Sequence, residues 1–302
     1  MIRFERLQHL RREEYERLLL RADRGCGYSF ANLYIWGRQR AAFVDGYLAF
    51  FSQFDRRAVY PFPVGEGEIK PVLDAIIHDA NQRGIPCCIT GMKKEDCELL
   101  ERLYPGRFRI YHDRDGYDYV YSIDDLADLK GRKFQRKRNH MNRFYENHPN
   151  CRFEELTTAN LEAVQDMATS WYLRRQQKDP DGDYHLEQLA LMRALADPAK
   201  LGMEGLVMLE GDRIVAFSMA SRLSADTFDI HFEKAREDVE GAYGAINQAF
   251  ARRLREKYPE VRYLNREDDM GLEGLRKAKL SYQPVFLVEK YWARLWEEED
   301  EA

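Results

Sequence analysis

The chain has 302 residues, a length that corresponds to two domains or one large one. Its 18 Tyr, 16 Phe and 4 Trp provide ample core material and exclude a disordered protein. Because 52 acidic residues outnumber 47 basic ones, the net charge of -5 does not favour a protein that coats nucleic acid. The most apolar stretch, 41–51, is too short to span a membrane, and the five cysteines match no zinc-binding spacing. We therefore expect a cytoplasmic protein with reduced thiols and no metal.

The first half of the chain predicts a mixture of helices and strands. A helix at 9–22 opens it, and a hairpin follows in which Asp45-Gly46 supplies the turn between strands at 41–44 and 47–51. The later predicted elements, in chain order, are a strand at 58–63, a glycine loop at 65–67, a helix at 68–84, a strand at 85–90, a helix at 94–103 and a strand or hairpin at 108–121.

The same order recurs in the second half, after helices predicted at 159–175 and 186–196. The further elements are a hairpin at 206–220, a strand at 228–232, a loop at 236–244, a helix with an apolar face from 243 to 254, a strand at 261–264, a basic helix at 271–280 and a closing strand at 284–291. This recurrence predicts an α+β protein with mixed sheets and two similar halves. We expect these halves at 1–125 and 126–302, with a basic linker helix at 130–145.

The predicted order of elements is that of the GNAT acyltransferase fold, and two motifs carry a closer resemblance. The first reads LKGRKFQRKRNHMNRF at 129–144, and the second reads NREDDMGL at 265–272, followed by LRKAKLSYQP at 275–284. Together they resemble a bacterial family that shares the C-terminal domain of phosphatidylglycerol lysyltransferases and is akin to the Fem-type aminoacyl transferases.

This resemblance implies a tandem GNAT fold and a transferase. The expected donor is an aminoacyl-tRNA or an acyl-CoA, so the expected partners are tRNA or CoA, and the acceptor is an amine or a hydroxyl. Since the sequence shows no membrane-spanning segment, the lipid acceptor of the lysyltransferases is not carried over. Peripheral contact with a membrane stays possible.

The segment 130–143 contains seven Lys or Arg residues and no acidic residue. In a helix, Lys133, Arg136 and Lys137 would share one face and could bind the phosphates of CoA or of a tRNA 3′ end. We add Arg138 and Asn139 to these donor-binding candidates. The alternative is a solvated helix face, or a brace between the two halves.

The loop at 236–244 precedes a strongly amphipathic helix, and helix N-termini attract anions through free N–H groups and the helix dipole. Arg236, Gly241 and Gly244 are therefore donor-binding candidates. Asp238 and Glu240 lie between them and would repel phosphate, so the alternatives to an acyl-CoA loop are a Fem-type loop for another donor and a structural turn.

Catalytic candidates come from the strand at 228–232 and its continuation. Strict alternation would place Asp229, His231 and Glu233 on one face of a central strand, where His231 or Glu233 could act as a general base. A hydrogen-bonded structural histidine is the alternative reading of His231.

A polar run follows the strand at 261–264, and polar residues at the end of a buried strand often line a pocket. Its carboxylates Glu267 and Asp269 are further candidates for a base, with helix capping as the alternative. The predicted substrate pocket comprises Asn265, Arg266, Arg276, Lys279 and Tyr282. The sequence thus favours an acyl- or aminoacyl-transferase, and the alternative is a non-catalytic binding or regulatory protein on a degenerate GNAT fold.

Overall fold

The computed structural model describes residues 1–8, 11–22, 24–54, 57–180, 182 and 184–296. The first two positions of the helix predicted at 9–22 lie outside the described residues. The helices are α1 Arg12–Leu19, α2 Phe30–Ile35, α3 Lys70–Arg83, α4 Lys94–Leu103, α5 Ile123–Asp128, α6 Gln135–Asn147, α7 Leu161–Lys178, α8 His185–Ala196, α9 Ala242–Lys257 and α10 Glu273–Leu280. None of these helices is long and apolar enough to cross a membrane.

The strands divide between two mixed sheets. They are β1 Glu5–Arg6, β2 Gln39–Val44, β3 Tyr47–Phe54, β4 Arg57–Pro61, β5 Val64–Gly65, β6 Cys88–Met92, β7 Phe108–His112, β8 Asp118–Ser122, β9 Cys151–Glu155, β10 Met203–Glu210, β11 Arg213–Arg222, β12 Thr227–Ala235, β13 Tyr263–Asn265, β14 Phe286–Val288 and β15 Tyr291–Leu295. The first sheet has the order β1-β2-β3-β4-β6-β15-β7, with β5 paired to β3, and the second has the order β14-β8-β13-β12-β11-β10-β9.

Helix α3 shows how the sequence sets a helix end. Pro71 lies in its first turn, where a missing N–H costs no intrahelical hydrogen bond. Gly84 ends the helix at φ +64°, a left-handed conformation that glycine adopts without steric cost. Between these ends Val72 and Ile76 are fully buried beneath the first sheet.

The two halves exchange one strand each. Strand β8 lies in the second sheet between β13 and β14, and β15 from the C-terminal end lies in the first sheet between β6 and β7. The strand or hairpin predicted at 108–121 is therefore two strands in different sheets, and the predicted closing strand ends as β14 before the chain crosses to β15. The domain boundary at residue 125 stays a prediction. The two sheets do not divide at this residue, because β8 precedes it and lies in the second sheet, whereas β15 follows it and lies in the first.

A shared hydrophobic core joins the halves. It combines Tyr28 and Phe30 of the first half with Met167, Leu191 and Phe217 of the second. Another core lies between the second sheet and α5, α6 and α9, and a third lies between the first sheet and α3 and α4. The halves are thus held together by buried apolar area, which is the dominant stabilising contribution in protein interiors.

Strand β12 contains a β-bulge at His231. Met219 of β11 pairs with Phe232, but the next residue, Ala220, pairs with Ile230, so His231 is the extra residue. As a result Ile230 lies in the core under α9, whereas Phe232 lies in the core between the halves.

The bulge separates the polar residues of β12. Glu233 faces α9, where its carboxylate accepts a hydrogen bond from Asn247 Nδ2 at 3.0 Å. His231 lies on the opposite face, with its Nε2 2.8 Å from Ser221 Oγ. The prediction that Asp229, His231 and Glu233 share one face is wrong, because a bulge adds a residue that alternation in the sequence does not reveal.

Candidate functional site

A cleft of about 810 Å³ opens in the second half between α6 and the start of α9. We call it the basic cleft, because its wall carries Lys133, Arg136, Lys137, His140 and Arg236, with Tyr282 beside them. A cleft of this size with several cations is suited to a phosphate-bearing ligand.

The basic segment forms one wall because its apolar and charged residues lie on different sides. Phe134, Met141 and Phe144 are buried against the core under α9, which turns the cations outward. Arg136 is exposed and forms no ion pair or hydrogen bond with any residue that the structure describes. Lys137 lies with its Nζ 3.8 Å from the centroid of the Tyr282 ring.

Two of these lysines have distinct electrostatic surroundings. Lys133 forms an ion pair with Asp125 at 2.6 Å, which neutralises part of its charge. Lys137 is half-buried, and burial together with the nearby Arg266 guanidinium lowers its pKa. Arg136 and Lys137 are therefore the cations of α6 that a ligand can neutralise in the cleft.

The N-terminus of α9 forms the opposite wall. Gly241 precedes the helix at φ +88°, and a Cβ there would lie 3.1 Å from Phe144 Cδ2. A Cβ at Gly244 would lie 2.5 Å from Met141 Cε, so both glycines allow α6 to approach α9 closely. Across the described part of the chain, the backbone N–H groups of Tyr243 and Gly244 find no acceptor. Two donors and the positive end of the helix dipole thus face the cleft.

The carboxylates of the loop at 236–244 are largely neutralised by neighbouring cations. Asp238 forms ion pairs with Arg213 at 2.5 Å and Arg174 at 3.5 Å, and the hydrogen bond from Arg213 lowers its pKa. Glu237 pairs with Lys178. The repulsion of phosphate predicted for Asp238 and Glu240 is thereby reduced to that of Glu240, which alone of the two lines the cleft.

Beneath the basic cleft lies an ion pair between Glu233 and Arg266, 2.8 Å apart and largely buried. Glu233 uses its other oxygen for Asn247, so both carboxylate oxygens accept hydrogen bonds. The Arg266 guanidinium lies 5.3 Å from the centroid of the Tyr282 ring. Glu233 therefore holds the floor of the cleft in place, and each of its carboxylate oxygens is already engaged by a donor.

The model of the family described as phosphatidylglycerol lysyltransferase, C-terminal, matches residues 19–294. The chain belongs to this family. A curated relative, the uncharacterized protein MYCGA3080 of Mycoplasmoides gallisepticum, is 26% identical over 181 residues, which cover 59% of this chain and 56% of the relative. The chain thus spans little more than half the length of that relative.

Solved structures give the fold of the family. A conserved protein of unknown function from Bacteroides thetaiotaomicron has a TM-score of 0.93 at 37% identity and covers 98% of this chain and 100% of its own. L-PGS from Bacillus licheniformis has a TM-score of 0.70 at 17% identity, with 96% and 93% covered. FemX has a TM-score of 0.60 at 9% identity, with 99% and 98% covered. The predicted α+β fold of tandem GNAT and Fem-type proteins is therefore confirmed.

The donor-binding residues predicted from the sequence separate into two groups. Those that meet at the basic cleft of this family member are Lys133, Arg136, Lys137, Arg236, Gly241 and Gly244. Arg138 points away, and its guanidinium donates to the carbonyl oxygens of Leu129 and, at 2.8 Å, of Gly131. Asn139 is exposed and does not line the cleft. Residues two positions apart on a helix, such as Arg136 and Arg138, point to nearly opposite sides. The number of cations in a segment therefore predicts more donor-binding residues than one face of the helix can present.

The predicted catalytic residue Asp269 forms a brace. Its buried carboxylate accepts hydrogen bonds from Tyr119 Oη at 2.5 Å, from Arg276 Nε at 2.8 Å and from the Gly271 N–H at 2.9 Å. The hydrogen bond from Arg276 is the main reason that the pKa of Asp269 is lowered. Asp269 and Arg276 therefore tie the loop at 265–271 to β8, and neither lines the basic cleft.

The predicted substrate pocket does not form as one cavity. Tyr282 lines the basic cleft and Arg266 lies beneath it, whereas Lys279 donates to the carbonyl oxygens of Arg266 and Glu267. Asn265 is buried and donates to Asp118 Oδ2 at 2.9 Å. A strand end thus directs successive polar side chains to opposite sides.

A buried polar network around Asp118 was missed at the level of sequence. Asp118 accepts hydrogen bonds from the Cys26 N–H at 2.6 Å and from Lys290. Although burial opposes ionisation, the Lys290 ammonium lowers the pKa of Asp118. Lys290 lies 172 residues from Asp118, so only the strand exchange brings them together. The sequence did contain one signal for this network, because Asp118 is the only carboxylate in the apolar strand β8. A buried carboxylate needs a partner with a positive charge or a hydrogen-bond donor.

Proposed function

We propose that the chain is an aminoacyl transferase that binds the 3′ end of an aminoacyl-tRNA in the basic cleft. The observation that carries the proposal is the meeting of Arg136 and Lys137 with the free N–H groups of Tyr243 and Gly244. Cations on one wall and backbone donors on the other suit a chain of phosphates. The family description, a lysyltransferase, supports the same class of reaction.

The distribution of charge favours a nucleic acid over acyl-CoA. Arg132 and Arg143 are exposed and form no ion pair within the described residues, and they continue the positive wall on both sides of Arg136. At about 1.5 Å per residue, Arg136 and Arg143 alone are roughly 10 Å apart along α6. A compact diphosphate occupies one part of such a wall, whereas a strand of nucleotides follows its length.

In the proposed reaction, an amine or hydroxyl of the acceptor attacks the ester carbonyl of the aminoacyl group. A new bond to the carbonyl carbon forms, the ester C–O bond breaks, and the ribose oxygen of the tRNA leaves with the proton of the acceptor. Arg136 and Lys137 would hold the phosphates of the donor, and the N–H groups at the start of α9 that the phosphates leave free would stabilise the negative charge that develops on the carbonyl oxygen. The Glu233–Arg266 pair keeps Tyr282 in position beside Lys137.

A membrane-bound acceptor is the form of acceptor that the surface around α10 supports. Met270, Leu272, Val285 and Phe286 are exposed there by 67%, 56%, 52% and 46%. All four lie within one segment of the chain, at both ends of α10, and exposed large apolar side chains are typical of interaction surfaces. We therefore propose peripheral contact with a lipid surface, which sedimentation with phosphatidylglycerol vesicles would detect for the unaltered chain and not for Leu272→Glu.

The second candidate function is binding without turnover. Two observations favour it. The carboxylates of Glu233 and Asp269 accept hydrogen bonds from neighbouring side chains, and His231 lies on the face of β12 that points away from the cleft. None of these three residues is therefore a free base in the cleft. A protein of this kind would bind the same anionic ligand and release it unchanged.

One experiment separates these functions. Binding of lysyl-tRNA, of uncharged tRNA and of CoA is measured at increasing salt, and the fate of the radiolabelled lysyl group is followed with a mixture of amine, hydroxyl and lipid acceptors. We expect salt-dependent binding of tRNA and transfer of the label to one acceptor class. Binding of CoA in preference to tRNA would contradict the donor assignment, and tRNA binding without transfer to any acceptor would support the binding protein.

A further inference from the structure

Two carboxylates and one imidazole, which are groups that bind metal ions, lie close together on the face of β12 opposite to the basic cleft. Asp229 and His231 lie on β12, and Glu267 lies in the loop that follows β13. One carboxylate oxygen of each acid and the Nδ1 atom of His231 all lie within 4.8 Å of one another. None of the three lines the basic cleft, so the cluster is separate from the proposed donor site.

Two of the three groups that face one another, Asp229 and His231, have atoms without a hydrogen-bond partner, whereas Glu267 Oε1 already accepts a hydrogen bond from Asn32. Asp229 is fully buried, and neither of its carboxylate oxygens has a partner at hydrogen-bond geometry, although the Ser29 hydroxyl lies beside it. His231 Nδ1 is also buried without a partner. Buried polar atoms without partners are costly, and an unpaired buried carboxylate more so.

The second nitrogen of His231 orients its ring. Nε2 lies 2.8 Å from the Ser221 hydroxyl on the adjacent strand β11. When Nε2–H donates to this oxygen, the lone pair of Nδ1 points to Asp229 and Glu267. Histidines that bind metals are commonly held by this kind of hydrogen bond from the other ring nitrogen.

Glu267 is held in place as well. Its Oε1 accepts a hydrogen bond from Asn32 Nδ2 at 3.1 Å, and its own N–H donates to Asn265 Oδ1 at 2.7 Å. Its φ of +56° is unusual for a residue other than glycine and directs the side chain back toward β12. The carboxylate is thus oriented by contacts from both halves of the molecule.

The separations suit an ion better than a direct hydrogen bond. His231 Nδ1 lies 3.4 Å from Asp229 Oδ2 and 3.6 Å from Glu267 Oε1. Hydrogen bonds of this type are shorter, at about 2.7–3.2 Å. Ligands at about 2.1 Å from a tetrahedral zinc ion lie roughly 3.4 Å from one another, so a cation can be placed among these atoms with little movement.

We propose that Asp229, His231 and Glu267 bind one divalent cation of the zinc type, with water as the fourth ligand. One imidazole with two carboxylates suits zinc better than calcium or magnesium, which prefer oxygen ligands alone. The ion joins β12 to the loop at 265–271, and through Asn32 it strengthens the contact between the two halves.

The test uses the full chain, stripped of metal with a chelator and dialysed. Zn²⁺ is titrated by calorimetry, and Co²⁺ is titrated as a spectroscopic probe whose visible absorption reports tetrahedral geometry. We expect one equivalent of either metal and a rise in melting temperature with Zn²⁺. Asp229→Asn and Glu267→Gln should each weaken the affinity at least about tenfold, because each removes an ionised ligand. Glu256→Gln on the exposed side of α9 is the matched control and should bind as the unaltered chain does.

Three results would overturn the proposal. The first is an unaltered chain that binds no stoichiometric metal, and the second is unchanged affinity in both ligand variants. The third is saturable binding of methylammonium with no effect of Zn²⁺, which would make the cluster an ammonium site. If Asp229→Asn does not fold, as judged by circular dichroism, Glu267→Gln decides, since Glu267 lies in a loop and is a quarter exposed.

Discussion

The two halves present a cleft at corresponding places, yet among the residues that the structure describes only one of the clefts offers free positive charge. The first-half cleft has a volume of about 590 Å³ and is bordered by the loop before α3, as the basic cleft is bordered by the loop before α9. Arg24 in its wall forms a two-point ion pair with Asp96 at 2.5 and 2.9 Å, and Arg21 pairs with Glu66 at 2.7 Å. Those guanidinium groups are already neutralised by carboxylates of the same wall.

The two helix starts differ in where their free donors lie. Among the described residues, the N–H groups of Lys70 and Val72 in the first turn of α3 find no acceptor, but neither residue lines the first-half cleft, whereas Tyr243 and Gly244 of α9 line the basic cleft. Two clefts of similar architecture can therefore differ in function through the position of two backbone donors and through two ion pairs. The fold supplies the position of a site, and the partners of its charged groups determine whether an anion can bind there.

The largest expected effect concerns the first-half ion pair. Asp96→Asn removes one partner of a pair whose side chains are both less than a tenth exposed, and leaves Arg24 as an unpaired buried cation. We expect a loss of about 3 kcal/mol or more in the free energy of unfolding. Urea unfolding measures it, with Glu66→Gln as the control, because the exposed Arg21–Glu66 pair should contribute less than about 1 kcal/mol. Equal effects of the two variants would show that the first-half cleft is not held by this buried pair.

The second prediction compares glycines at positive φ in the two halves. Gly241→Ala should cost about 2–3 kcal/mol, because it adds contact with Phe144 to the strain of an alanine at positive φ. Gly84→Ala, at φ +64° with no atom within 4 Å of the added Cβ, should carry only the backbone strain of about 1–2 kcal/mol. Thermal and chemical unfolding of both variants give the difference. A larger loss for Gly84→Ala would mean that close approach of α6 and α9 is not what requires Gly241.

The third prediction tests the charge in the basic cleft. The double variant Arg136→Ala with Lys137→Ala should bind tRNA more weakly by about tenfold or more, and its salt dependence should be shallower by roughly one to two counterions. Its melting temperature should change little, since exposed cations contribute little to folding.

The matched control for this charge test is Lys94→Ala with Arg102→Ala on α4, which removes two exposed cations from the first half. It should bind tRNA as the unaltered chain does. Unchanged affinity of the α6 variant together with a lower melting temperature would identify the basic segment as a brace between the halves, and the donor site would be withdrawn.

The smallest expected effect is a pH dependence of tRNA affinity, which should come from the basic cleft and not from the first-half cleft. Burial and the Arg266 guanidinium lower the pKa of Lys137, and the ring of Tyr282 packs against its ammonium. Because the charged form binds phosphate, tRNA affinity should fall by a few-fold as the pH rises toward that lowered pKa, below the ordinary lysine value of about 10.4. Lys137→Arg should abolish this alkaline decline, since arginine stays charged. A decline that persists in Lys137→Arg would assign the titration to another group.

Most of the helices and strands could be predicted from the sequence, because apolar spacing reports which face of each element is buried. The short elements α2, α5 and β9 were not predicted, since five or six residues show too little of a period. The exchange of β8 and β15 could not be predicted, because spacing does not state which sheet a strand joins. The bulge at His231 could not be predicted either. The sequence of β12 alternates regularly between polar and apolar residues, and this pattern does not reveal that one residue is left unpaired with the neighbouring strand.

The candidate site was predictable where its charge is concentrated in one segment. Lys133, Arg136 and Lys137 were predicted as donor-binding residues because many cations without an acidic residue need an explanation, and the structure places all three at the basic cleft. The expectation of no metal rested on cysteine spacing, whereas the proposed ligands are two residues of one strand and a third supplied by a distant loop. Such a cluster exists only after the sheet has formed.

The exchange of strands has a consequence for the order of events during synthesis. When residues up to 125 have left the ribosome, β15 has not been synthesised and is missing from its place between β6 and β7. The facing edges of β6 and β7 therefore stay unpaired until residues 291–295 are available. Contacts of such long sequence separation slow folding, because a loop of nearly two hundred residues must close before they form. The nascent first half should therefore depend on chaperones until the last strand arrives, and its release as a separate fragment should lead to aggregation through those edges.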